Sequence, residues 1–242
     1  MHLMQPPAPN SPPKTTNLLE LAIYEFEQKA KSYYANLAKN APLDETIEAK
    51  NARIHQEKVD FAHLNSERTR IRQYAAIQES LRMYMENNER LSQSDAGIEA
   101  LQKEEHHPTD MLITNLCAIG EVKPSINHDA HHIVLGKGQY QQAQMVDARL
   151  ALHLNGVGIN DPRNGAWLPR RYEDKGHWAT PMAPAHKEIH RYNYETWIIS
   201  KFAIPNISKR QVLDRLRECK TMLKFGGYPN EIVKPKDANW KG

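Results

Sequence analysis

The sequence predicts a mainly α protein with a small β element, in two parts. Three observations predict it. Apolar side chains recur every three or four residues from residue 17 to about residue 90, the spacing of amphipathic helices. Between about 130 and 202 the pattern changes to strand, turn, strand, loop and helix. Charge divides the chain in the same place. Residues 1–125 hold 14 Lys and Arg against 18 Asp and Glu, net −4, whereas residues 126–242 hold 18 against 11, net +7.

Residues 1–16 contain Pro6, Pro7, Pro9, Pro12 and Pro13, a composition that cannot pack a core and is expected to form a flexible tail. They show no basic region followed by an apolar core, so no secretory signal is expected there. No stretch of the chain approaches a membrane span. Residues 17–40 place Leu19, Ile23, Phe26, Ala30, Tyr33 and Leu37 on one helical side, after Thr15, Thr16 and Asn17 as cap candidates. Pro42-Leu43 breaks this helix, and Asp44 opens a longer one to about Arg90, with Ile47, Ile54, Phe61, Ile71, Tyr74, Ile77, Leu81 and Met85 on its apolar side. Clean heptads are too few for a coiled coil, which favours a helical hairpin packed on itself or on a partner. Punctuation at 94–97 and 106–108 separates residues 17–105, a helical domain, from the rest of the chain.

An apolar run at 111–119 leads to Gly120, and then the histidines begin. Ile133, Val134 and Leu135 after His131-His132 read as the end of a buried strand that turns at Gly136. Adjacent side chains on a strand point to opposite faces, so a bulge or bend is expected if both rings serve one site. The segment 137–158 is helical by its Ala143, Val146, Leu150 and Leu154 spacing. Asn164-Gly165 is a turn signal, and Trp167-Leu168 before Pro169 a second short strand. After Pro184, His186 and His190 stand four apart on one helical face, where two imidazoles can reach one cation. A C-terminal helix is expected over 208–224, with Val212, Leu216 and Leu223 inward, and an irregular tail over 226–242. His106-His107 is a second adjacent pair, of the kind twelve histidines produce by chance, and His153 and His177 read as structural and solvated. Cys117 and Cys219, the only cysteines, form neither a disulfide framework nor a thiolate zinc site and suit a reducing cytosol.

Several of these motifs in order resemble the AHH branch of the His-Asn-His and endonuclease VII nucleases, with the ββα-metal fold. The resemblance covers about 126–202. It rests on Ala130-His131-His132-Ile133-Val134, Ala148-Arg149, Gly158-Ile159-Asn160-Asp161, Asn164-Gly165 with Leu168-Pro169, and His186 and His190 followed by Tyr194 and Ile198. Leu135 departs from the pattern, since many members carry proline there.

The resemblance implies a metal-dependent endonuclease that hydrolyses phosphodiester bonds, in a nuclease domain of 110–225. It implies His132 as general base, because a neutral imidazole can take a proton from water, and His131, His186 and His190 as ligands of one divalent ion. Mg2+ or Zn2+ is expected, with Ni2+ and Mn2+ as further candidates. Asn164 is expected to hold the base histidine through the loop or the ring. Arg163, Arg170 and Arg171 are expected phosphate contacts, and the charges of the C-terminal helix serve equally well as a solvated face. The family occurs chiefly as the toxic end of bacterial polymorphic toxins and secreted effectors. The expected partners are therefore nucleic acid, DNA rather than RNA, an immunity protein, and a delivery component or adaptor bound through residues 17–105. The expected route is synthesis in a bacterial cytoplasm and delivery into a target cell by a contact-dependent machine such as type VI secretion. Residues 1–105 are expected to add nothing to cleavage. A non-toxic defence or mobile-element nuclease and a zinc-binding helical adaptor without activity are the alternatives.

Overall fold

The computed structural model describes residues 17–39 and 44–242; the expectations for residues 1–16 and for Pro42-Leu43 lie outside them. Helices dominate, with one two-stranded sheet. The chain forms two compact units divided between Ile77 and Gln78. No described helix is long and apolar enough to cross a membrane.

In the first unit, α1 (Leu18–Leu37) starts where the Asn17 side chain accepts from the Leu19 amide at 2.9 Å. None of its residues is buried. It meets α2 (Ile47–Leu91) through Lys29–Glu67 at 3.6 Å and the tilted rings of Tyr33 and Phe61, whose centroids are 6.2 Å apart. The 45-residue α2 is unbroken, and pairs one turn apart, such as Arg53–Glu57 and Arg70–Glu67, line its solvated side.

The second unit is larger than the expected nuclease domain of 110–225, because it begins at Gln78 and includes the end of α2. Residues 94–97, read as punctuation, instead start α3 (Asp95–Gln102), with the Ser94 side chain accepting from the Gly97 amide. The run at 111–119 forms α4 (Asp110–Ala118). Strand β1 (His128–His132) pairs antiparallel with β2 (Gly165–Pro169), His128 opposite Pro169 and His132 opposite Gly165. The first strand therefore ends where the apolar run was expected to continue it. Past its end the Asn164 carbonyl takes the Ile133 amide and the Asn164 side chain takes the Val134 amide, each at 2.8 Å.

The sheet is covered on both faces, which is why every residue of β2 is buried. Ala130 and Trp167 point to Leu112 and Leu116 of α4. Ala166 and Leu168 point the other way, into the main core. That core is built by α5 (Gln142–Leu154), α7 (Tyr192–Phe202) and α8 (Lys209–Phe225), with Met145, Leu152, Tyr194, Trp197, Phe202 and Leu216 at its centre. Gly165 is extended rather than left-handed; it is needed because a Cβ there would lie 2.7 Å from Leu112.

Two further expectations are refined. The helix expected within 137–158 is α5, on which Val146 and Leu154 of the spacing are exposed, and the buried side includes Met145, Ala148, Arg149, Leu152 and His153. Arg149 is tolerated there because its guanidinium meets His153 Nε2 and the carbonyls of Gly136, Leu101 and Glu104. The segment 226–242 is irregular but docked. Ile232 is buried, and Asn193 donates to the carbonyls of Glu231 and Pro235 and accepts from the Asp237 amide. Helix α8 keeps its expected extent, with the Ser208–Gln211 capping box at its start and left-handed Gly226 at its end.

Candidate active site

Four histidines singled out from the sequence line one cavity of about 240 Å³: His131, His132, His186 and His190. The strand pairing stays one to one through His132, so no bulge turns the two adjacent rings together. Both instead open into a cavity at the end of the strand. His186 lies on the single turn α6 (His186–Ile189), which follows Pro184, and His190 just after it; their Nε2 atoms are 2.9 Å apart.

His131, His186 and His190 offer ligand atoms that all lie within 4.8 Å of one another. The donor set fits a divalent transition ion, and the surroundings prepare each ring. The Tyr194 hydroxyl donates to the Ile133 carbonyl at 2.9 Å, so its oxygen accepts from His131 Nε2 at 2.7 Å. That leaves the Nδ1 lone pair of His131 for a cation. His186 Nδ1 faces Asp129 Oδ2 at 3.5 Å, the carboxylate that orients a metal-ligating imidazole. Asp129 is in turn gripped by Arg170, with Nε and Nη2 both 3.0 Å from Oδ1. Burial opposes its ionisation, but Arg170 holds its carboxyl below the usual range. Strand alternation puts Asp129 and His131 on the same face.

All four rings are neutral at neutral pH, as ligation and proton abstraction both require. Burial first, then repulsion from the neighbouring imidazoles, pushes His131 well below its ordinary pKa. Burial also takes His132 and His186 down to about 4 and lowers His190.

His132 is held through its ring, its Nε2 lying 3.0 Å from Asn160 Oδ1. Asn164 holds the loop instead: beyond the Val134 amide, its Nδ2 donates to the carbonyls of Val134 and Ile159 at 3.2 and 2.9 Å. Asn160 thus does for the ring what Asn164 does for the backbone. Its only sign in the sequence is its place in the Gly158-Ile159-Asn160-Asp161 motif.

His106 and His107 also line the cavity, within 6.1 and 6.3 Å of the His132 ring centroid. They read as a chance pair, and nothing local marks them otherwise. His106 lies flat on Gly136, where a Cβ would come within 2.3 Å of the ring. Of the arginines, Arg163 is half-buried and bound to Asp161, at 2.8 Å through Nε, and Arg170 is bound to Asp129; Arg171 is exposed. His177 stacks edge-on against His128, apart from the cavity lining.

Two short antiparallel strands and a helical turn gather three imidazoles, placed to hold a metal ion, beside a fourth. Residues 115–222 match the model of AHH, a nuclease family of the HNH/ENDO VII superfamily with conserved AHH, a match that implies a metal-dependent endonuclease hydrolysing phosphodiester bonds. No curated protein and no solved structure matches the chain.

Proposed function

We propose that the chain cleaves DNA with His132 as general base and one divalent ion held by His131, His186 and His190, and that it acts as a toxin delivered into rival bacteria. The observation that carries the chemistry is the convergence of three neutral rings on one point beside a fourth with its own hydrogen-bond partner. The ion, when bound, offsets the charge that builds on the phosphate and the leaving 3′ oxygen. His132 takes the proton of the attacking water. Asn164 keeps the loop after β1, and hence the end of the strand, in place.

Arg171, exposed just past β2, is assigned to a phosphate flanking the cut, while Arg163 and Arg170 are committed to Asp161 and Asp129. Zn2+ or Mg2+ is the proposed ion, and the all-nitrogen ligand set favours Zn2+. The toxic role rests on the AHH relationship together with a first unit that leaves Ile47, Val59 and Phe61 exposed, side chains suited to a delivery component or adaptor. An immunity protein would cover the mouth of the histidine-lined cavity.

The test is incubation of plasmid DNA and total RNA with purified protein, with and without chelator, followed by expression in a susceptible cell. Nicked plasmid, chelator-sensitive, and loss of viability that His132→Ala abolishes are expected. Intact DNA with degraded RNA would reverse the substrate, and full viability with active enzyme would remove the toxic role.

A further inference from the structure

We infer that Glu104 is a positioning residue for cleavage: through Asn160 it presets which nitrogen of His132 carries the ring proton. The inference rests on the reading of His132 as general base.

The Asn160 amide is held in one orientation. Its Nδ2 meets two acceptors, Glu104 Oε1 at 2.9 Å and the Glu105 carbonyl at 2.8 Å. Only the nitrogen end of an amide can serve two acceptors, so chemistry fixes which way it points. The oxygen end then faces His132 Nε2 at 3.0 Å, and a carbonyl oxygen can only accept. Nε2 must therefore be the donor, and the lone pair is left on Nδ1. A base in the opposite tautomer would present an N–H to water where it needs a lone pair.

Glu104 is itself immobilised. Oε1 also accepts from the Tyr84 hydroxyl at 2.7 Å, Oε2 accepts from the Ile159 amide at 3.2 Å, and its backbone carbonyl accepts from Arg149 at 2.8 Å. Tyr84 fits because position 158 is glycine, where a Cβ would come within 2.1 Å of the hydroxyl oxygen. Glu104 does not line the cavity, so it acts through the groups it holds, of which Asn160 is the one that meets His132. It also precedes residues 115–222, so this control comes from outside the family-matched region.

The test uses the full chain. Ring 15N shifts of His132, measured without metal near neutral pH, should show a protonated Nε2 and a bare Nδ1 in the wild type. Glu104→Ala should populate the other tautomer and lower kcat about 10- to 100-fold, with KM and the affinity for Zn2+ near wild type. Glu104→Gln combined with Asn160→Asp reverses the acid and the amide while keeping an acceptor on His132, and should recover part of the kcat lost in Glu104→Ala. A wild-type His132 protonated on Nδ1 overturns the inference without any variant having to fold. So does Glu104→Ala with unchanged kcat, or with lost activity but an unchanged tautomer, which is what mere support of the fold would give. His132→Ala cleaving at the wild-type rate would instead sink the base assignment beneath it.

Discussion

On the proposed roles, His132 and His190 should fail differently when removed, because one would take a proton and the other hold the ion. His132→Ala should lower kcat by about a hundredfold or more and leave Zn2+ affinity intact, since its ring bonds to Asn160 and not to the ligand trio. His190→Ala should weaken Zn2+ binding, and excess metal should restore part of the rate. Equilibrium dialysis beside single-turnover cleavage separates the two; metal rescue of His132→Ala alone would exchange the roles. A third histidine acts on stability. Burial, then Arg149, takes His153 down to about 4. Its folded-state pKa lies below the unfolded value, so the stabilisation is complete above about pH 6.5 and is lost as pH falls toward 4. The full effect is on the order of 3 kcal/mol. Urea midpoints of metal-free protein should drop between pH 7 and 5, less steeply for His153→Gln; parallel curves would rule this out.

At the scale of elements, the strands and the helical turn give the arginines different partners. Arg171→Ala should weaken DNA binding on every sequence and reduce the salt slope by about one, the signature of a lost phosphate contact. Arg170→Ala should leave that slope unchanged and lower Zn2+ affinity, because it frees Asp129 beside His186. Binding isotherms at several salt concentrations decide between them. The contrast shows what is legible in sequence and what is not. The grouping of His131, His186 and His190 is legible because two rings four apart on a helical turn and one at a strand end can reach one point. The inward side of α5 is not legible in its apolar spacing, because it contains Arg149 and His153, whose burial rests on hydrogen bonds that no periodicity records. Asn160, Glu104 and His106 meet their partners across long stretches of chain, with no local pattern to mark the meeting.

At the scale of the molecule, the boundary between Ile77 and Gln78 places residues 78–105 in the unit that carries the histidines, which sets a test for the expectation that residues before 105 are dispensable. Buried Leu81 and Leu101, and the Tyr84 and Glu104 contacts, belong to the unit that carries the histidines. A fragment starting near His107 should therefore be insoluble or inactive, while one starting shortly before Gln78 should cleave DNA. Equal activity of the two would restore the shorter domain.

The site draws on Glu104, His131, His132, His186 and His190, and the last main-core helix, α8, packs against β2 only after all of them have been made. A chain stalled on the ribosome before α8 has cleared the exit tunnel therefore lacks part of the packing behind β2. On the proposed toxic role, the producing cell would then meet the activity only as finished molecules, when an immunity protein could already be present.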